Sequence, residues 1–388
     1  MHIYLPIFTA FLAYWVLYSP QPLLPFFAET YSLTESEAAL LMTASFLPLT
    51  IAPLSYGYLL QAVSSLKVLR GAVLALVLSE VALVLSGSFS LLLFIRFIQG
   101  LLLPAAFTSI ITYISSNTDG AELQRLMSIY TAIGITGGYT GRLFAGAAAT
   151  YLSWQFFGWI IAIALLLNFF ALGTLPNEAH TRPTTKRAST LILNVLKTGG
   201  YLPAFLAASC FFFVFAAITN FLPFRVTEIL DQPSEFITGL MYTSYLTGIV
   251  TSLGSSKLQT FFGGQPNALI AGLIGYIIAL LITLVPNIWL LFAALTLTCG
   301  AMFLLYPVAL SMVNQQAKEN KGIVNGLYLT FYYAGGTLGS YAPGIIYQRF
   351  GWPAFVATLI GVASVGLAMV AIYKRRVDAS PVVPSRAS

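Results

Sequence analysis

Residues 89–115 read FSLLLFIRFIQGLLLPAAFTSIITYIS, a run of apolar positions interrupted by a single charge, Arg96. At 1.5 Å of rise per residue, about 20 such residues suffice to cross the hydrocarbon core of a bilayer as a helix. Working outward from this run, eleven more follow the same rule. In the first half they fall at roughly 3–28, 37–60, 68–87, 126–150 and 153–175. In the second half they fall at roughly 201–225, 236–257, 266–286, 288–315, 322–347 and 353–374. Dyad alternation over about 10 residues, the mark of a membrane barrel strand, is missing. The expected fold is all-α: twelve transmembrane helices in two six-helix, pseudo-symmetric bundles.

Composition agrees. Of the 388 residues, 58% are hydrophobic and 8% are charged, where a soluble domain carries about 25% charged residues. So few charges cannot keep a globule of this size wetted, which excludes a soluble enzyme. Cys210 and Cys299 lie far apart in apolar runs, and the two histidines are His2 and His180. No metal-ligand spacing, disulfide framework or His-based catalytic set results, so neither metal nor cofactor is expected. The net charge of +6 comes from basic residues scattered through short loops, which reads as membrane topology rather than as a nucleic-acid surface. The first run lacks a basic leader and a small-residue cleavage site, so it is read as a span.

Placing the N-terminus inside puts Lys67, Arg70, Arg125, Lys186, Arg187, Lys257, Lys318, Lys321, Lys374 and Arg375 on the cytoplasmic side. Acidic Glu29, Glu35, Glu37, Glu228, Asp231 and Glu235 then gather outside. That asymmetry sets the orientation, with both termini cytoplasmic. The expected domains are a bundle over 1–175, a cytoplasmic linker over 176–200, a second bundle over 201–374 and a tail over 375–388.

The two halves repeat at an offset of 198 residues. Leu24-Pro25-Phe26 corresponds to Leu222-Pro223-Phe224, Tyr130 to Tyr328, and Gly137-Gly138 to Gly335-Gly336. Gly141 corresponds to Gly339, Gly146 to Gly344 and Trp154 to Trp352. A parallel duplication of six helices suggests two bundles rocking about a midplane site. The glycines of spans five and eleven allow close helix contact, and they are expected to form the seam that slides.

Arg96-Phe97-Ile98-Gln99-Gly100 in span four and Gly134, Gly137, Gly138 and Gly141 in span five resemble the motifs of the major facilitator superfamily, in its drug:proton antiporter branch. Tyr18-Ser19-Pro20-Gln21-Pro22-Leu23-Leu24-Pro25 and Phe331-Tyr332-Tyr333-Ala334-Gly335-Gly336 look like a subgroup of bacterial inner-membrane exporters. The resemblance covers nearly the whole chain. It implies a small-molecule substrate, proton coupling involving Arg96, alternating access, a bacterial inner-membrane location and a monomer without cofactors. Gly57, Gln61, Gln99, Gly100 and the glycine pairs of spans five and eleven would be its conformational motifs. Two positions depart from the family pattern. The loop after span two reads Gly57 to Lys67 with Gln61 where an Asp is usual, and Gly138 stands where the antiporter motif has Pro.

Three charges lie well inside spans: Glu80, Arg96 and Arg142. Each costs about 2.5–3.5 kcal/mol near the bilayer centre. Glu80 and Arg96 flank the turn near Ser88 at similar distance, so an antiparallel hairpin sets them at one depth and an ion pair is expected. Either that pair is structural, or Glu80 exchanges protons under the influence of Arg96. Arg142 lies on a surface thinned by glycine, and its repeat counterpart is Ser340. It is read as a ligand for an anionic group, or else as a cation held by carbonyls, a tyrosine or Glu80. Span one offers Tyr18 and Gln21 but no acid, and the second half's spans hold no Asp or Glu. An anionic or zwitterionic compound is therefore the expected substrate, with Asn220, Tyr306, Tyr328 and Tyr332 completing the pocket. Three functions stand at this point: proton-coupled export, proton symport of an organic acid, and a membrane receptor or assembly partner that transports nothing.

Overall fold

The computed structural model describes residues 3–176, 201–317 and 321–379, with side chains at all but 53–55, 57–62, 321–322 and 376–379. All but Pro176 of the expected linker over 176–200, and the tail beyond Ala379, lie outside the described residues. So do the surroundings of Gly57 and Gln61, which the helix Glu35–Ala62 covers. The described chain is helical throughout, in two six-helix bundles.

Short polar caps start several of the spans. Ser64, Ser88, Ser153 and Ser234 each accept from the backbone N–H three residues on, and Asn287 accepts from Trp289 and Leu290. These caps satisfy N–H groups that a helix start would otherwise leave bare. Because Ser64 caps the helix Ser65–Val84, the loop expected over 57–67 shrinks to two residues after Ala62.

Spans four, six, seven, nine and ten are single helices: Phe89–Asn117, Trp154–Leu172, Tyr201–Ile229, Gln265–Ile282 and Ile288–Gln316. Each is long and apolar enough to cross a bilayer alone. The run Lys321–Ala379 holds spans eleven and twelve, divided at Gly351, whose φ of 77° suits glycine. Of the remaining five, span two is Glu35–Ala62, span three Ser65–Val84 and span five Gly120–Tyr151. Span three carries Lys67, Arg70 and Glu80, and span five is diluted by glycine and threonine.

Spans one and eight depart from the single helices expected of them. Span one runs Tyr4–Tyr18, passes through a tight turn at Gln21–Leu23 and resumes over Leu24–Thr30. Pro20 and Pro22 have no N–H to give the carbonyls of Val16 and Tyr18, so two successive helical bonds are lost where the helix breaks. Span eight is broken by a similar turn, Tyr242–Tyr245, between Glu235–Met241 and Leu246–Leu253.

The repeat reappears as packing. A Cβ on Gly137 would meet the Phe11 carbonyl at 2.9 Å, and one on Gly335 would overlap that of Ser209. Gly141 stands against Trp15 and Gly339 against Phe213. Both members of each contact are thus 198 residues apart. These glycines join span five to one and span eleven to seven inside their own bundles, which corrects their expected place on the sliding seam. The glycines at the seam are Gly146 and Gly239, which meet Glu235 and Arg142–Leu143, and Gly344, which meets Ser36.

Closure between the bundles is one-sided. Thr43 Oγ1 lies 2.7 Å from Ser340 Oγ, and Thr50 Oγ1 lies 3.2 Å from Thr337 Oγ1. Thr150 donates to Glu235 at 3.0 Å and accepts from the Phe236 N–H at 3.0 Å. Among the described residues, these bonds extend from the end nearest Thr34, Leu152 and Ser234 as far as Thr50 and Thr337, near the middle of spans two and eleven.

Candidate functional site

Arg142 is completely buried, on the C-terminal half of span five where the bundles meet. Its Nη1 donates to the Gly138 carbonyl one turn back at 2.7 Å. Its Nε donates to Gln21 Oε1 at 2.5 Å, a residue placed there by the proline break in span one. Its Nη2 donates to the Tyr245 hydroxyl, in the opposite bundle, at 3.1 Å. The guanidinium carbon lies 4.0, 4.8 and 4.4 Å from the ring centres of Tyr18, Tyr242 and Tyr245. No carboxylate is paired with it; the ion pair among the described residues is Arg225–Glu228.

The network continues across the seam. Gln21 Nε2 donates to Asn220 Oδ1 and, at 3.4 Å, to Thr219 Oγ1, the repeat counterpart of Gln21 itself. Asn220 Nδ2 reaches the Ser340 carbonyl at 3.4 Å, and Ser340 meets Thr43. A continuous line of hydrogen bonds therefore runs from span five through one and seven to eleven and two. Of the alternatives the sequence left for Arg142, a carbonyl and a tyrosine hold it, and Glu80 does not.

Tyr306, Tyr328 and Tyr332 form a separate aromatic group. Tyr328 donates to the Tyr306 carbonyl at 3.3 Å, and the rings of Tyr306 and Tyr332 lie 5.1 Å apart. Tyr332 stacks on Phe212 at 4.0 Å, Phe212 lies 6.0 Å from Phe46, and Phe46 lies 6.3 Å from Tyr18. That ring ladder links the group to the Arg142 cage across the seam.

Glu80 and Arg96 are also buried, at 2% and 0% exposure. The ion pair expected of them does not form, because Gln99 stands between. Arg96 Nη1 donates to Gln99 Oε1 at 2.8 Å, and Gln99 Nε2 donates to Glu80 Oε2 at 2.8 Å. The rest of the Arg96 fork serves backbone: Val16 O at 2.7 Å, Leu17 O at 2.7 Å and Leu41 O at 3.2 Å. Span two approaches closely enough for this because Gly100 has no Cβ to strike Ser45, whose Cα would lie 2.8 Å away. Beside Glu80 lies a cavity of about 30 Å³ open to the centre of a water molecule, lined also by Ser19, Pro20, Arg96, Trp154 and Gly158. That is room for water next to a polar group.

The sequence reading missed Tyr242 and Tyr245, whose positions depend on an unforeseen helix break. It also missed Gln99 as the bridge, although its spacing of three from Arg96 puts both on one helix face. Among the described residues, no group of three or more His, Cys, Asp or Glu side chains could hold a metal ion.

Comparison with known proteins agrees with this architecture. The Inner membrane transport protein YnfM of Escherichia coli (strain K12) is 29% identical over 94% of this chain and 89% of that protein. The Uncharacterized MFS-type transporter YybF of Bacillus subtilis (strain 168) is 24% identical over 87% and 84%. Among solved structures, the nucleoside transporter NupG superposes with a TM-score of 0.80 at 13% identity, covering 97% of this chain and 99% of that one. A bacterial homologue of the human lysosomal transporter Spinster, in an inward-facing and unoccupied conformation, gives 0.74 at 14% identity over 96% and 94%. The family model of the Major Facilitator Superfamily matches residues 7–243 and 226–388. The chain thus belongs to the Major Facilitator Superfamily, as a membrane transporter and not an enzyme.

Proposed function

We propose that this transporter moves a small organic anion or zwitterion out of a bacterial cell by alternating access, in exchange for protons. The observation that carries the reading is Arg142: a buried cation on the seam, with neutral partners, whose repeat counterpart is Ser340. A fold that manages with serine at one copy does not need an unpaired charge at the other, and such a charge inside a membrane marks a ligand path. Arg142 would hold the anionic group, with Tyr18, Gln21 and Asn220 around it. Tyr306, Tyr328 and Tyr332 would shape the pocket on the second bundle.

Glu80 is the proposed proton carrier. It is the buried carboxylate among the described residues, it borders water-sized space, and Gln99 ties it to Arg96. The likeness of Arg96-x-x-Gln99-Gly100 to the drug:proton branch supports export. Under the positive-inside orientation, the sealed end faces outside and the described state opens inward. The glycines of span five, with Gly335 and Gly336, serve in this reading as the close helix contacts that let each bundle move as a unit.

One consideration favours proton symport as a second reading. Ser19 and Pro20 line the Glu80 cavity, and Gln21 in the same turn binds Arg142. An anion that displaces Gln21 from Arg142 would shift the turn that walls Glu80, and so link occupancy of the two sites. Anion and proton would then ride together.

Proteoliposomes with a pH-sensitive dye inside separate these readings. An imposed gradient of an organic anion should drive proton movement, opposite in direction to the anion for antiport and parallel for symport. Glu80→Gln should abolish the proton signal yet keep anion-for-anion exchange, and Arg142→Ser should abolish both. Flux of cations alone, unchanged by Arg142→Ser, would sink the anion assignment.

A further inference from the structure

We propose that the ligand taken at Arg142 is a planar aromatic monocarboxylate, and that the oxygens of Gln21 and Tyr245 now occupy the two places its carboxylate would fill. The proposal rests on the reading of Arg142 as the anion ligand and names the class of compound.

The geometry begins with the fork. Nε and Nη2 lie along one edge of a guanidinium, the edge that takes both oxygens of a carboxylate side by side. In this structure that edge meets two neutral oxygens from different chain segments, Gln21 Oε1 at 2.5 Å and the Tyr245 hydroxyl at 3.1 Å. The remaining bond, from Nη1 to Gly138 of its own helix, holds the side chain in place whichever ligand is bound. Charge-assisted bonds are roughly twice as strong as bonds to neutral oxygen, so a carboxylate can displace both stand-ins.

Charge balance fixes the valence. The site offers one cation, because the Arg96 fork is committed to the carbonyls of Val16, Leu17 and Leu41 and to Gln99. A dianion would bury an unpaired charge. The walls fix the shape. Tyr18 and Tyr245 lie over the guanidinium, and ring contacts lead from Tyr18 through Phe46 and Phe212 to Tyr332. Tyr18 meets Phe46 edge-on and Phe46 meets Phe212 at a tilt, so a flat aromatic ligand beside them finds both ring faces and ring edges to pack against, where a saturated ring of equal size loses the favourable ring geometry.

Displacement also has a mechanical result. Tyr245 belongs to the opposite bundle, and Gln21 is itself bonded to Asn220 there. Carboxylate binding removes one tie across the seam and frees the partner of another, so it favours opening at the sealed end.

Calorimetric titration of the purified full-length protein in detergent tests this with four compounds: 2-naphthoate, decalin-2-carboxylate, 2-naphthamide and 2-naphthylmethylamine. We expect 2-naphthoate to bind at least tenfold more tightly than the other three, and Arg142→Lys to weaken it at least tenfold. Tyr245→Phe removes a competing oxygen while keeping the ring, so it should tighten 2-naphthoate severalfold, an effect opposite to loss of a supporting contact. It serves even where Arg142→Lys fails to fold. Equal binding of 2-naphthoate and decalin-2-carboxylate would overturn the aromatic class while leaving an anion site. Preference for the amine would overturn both. Binding of none of the four would overturn the present proposal, while proton flux with other anions in proteoliposomes would still uphold the transport reading.

Discussion

Arg96 and Arg142 are both buried, yet they answer different needs. The Val16 carbonyl would bond the N–H of residue 20, which is proline, so Arg96 supplies the missing donor and takes the Leu17 and Leu41 carbonyls besides. Arg142 is held by neutral groups and aromatic faces with no such orphan to satisfy, apart from a bond to its own helix. Leaving buried backbone carbonyls without a donor is costly, and the cost grows with the number of partners stranded. Arg96→Met should therefore lower stability by about 3 kcal/mol, and Arg142→Met, which strands the side-chain oxygens of Gln21 and Tyr245 but no backbone carbonyl outside its own helix, should lower it less. Thermal unfolding in one detergent compares the two; equal losses would make Arg142 a structural residue. The sequence put Glu80 and Arg96 at one depth correctly, since hairpin spacing is enough for that. It did not reveal Gln99 between them, because the choice between ion pair and amide bridge turns on side-chain reach.

Elements show the same division. Span four meets span two where Gly100 faces Ser45, and Ser45 Oγ donates to the Arg96 carbonyl at 3.1 Å. Gly100→Ala would push a methyl into backbone, which cannot swing aside as a side chain tip can. The expected cost is about 1–3 kcal/mol, with Arg96 pulled from its carbonyls. Gly71→Ala in span three is the control, since nothing lies within 4 Å of its Cβ position. A lower melting temperature for the first and none for the second would bear this out, and equal melting temperatures would refute it. Helix count and order were readable from hydropathy alone. The breaks in spans one and eight were not, because a 20-residue average smooths over a turn of three or four. Pro20 and Pro22 did carry the signal for span one. Span eight has no proline, and its break is accompanied by Thr243 and Thr247 hydroxyls bonding backbone carbonyls at 2.8 and 2.6 Å, a competition that weakens helices.

At the scale of the whole molecule, the duplication was legible as an offset and returned as matching contacts, Gly137 with Phe11 and Gly335 with Ser209. Which glycines border the seam was not legible, since a small residue does not name its neighbour. Beyond the Arg142 network and the Thr150–Glu235 contact, the seam is held by hydroxyl pairs, Thr43 with Ser340 and Thr50 with Thr337, which can part without exposing or burying charge. Alternating access requires these pairs to part in every cycle. Thr50 and Thr337, 3.2 Å apart and outside the Arg142 network, give a way to hold them together. With Cys210 and Cys299 changed to serine, Thr50→Cys and Thr337→Cys in one chain should form a disulfide on mild oxidation. Transport in proteoliposomes should then stop, and a reductant should restore it; each single cysteine should be insensitive to both treatments. Transport that continues through a completed cross-link would mean that spans two and eleven do not separate at this level, and the closure seen here would then be a fixed feature of the fold instead of one state of a cycle.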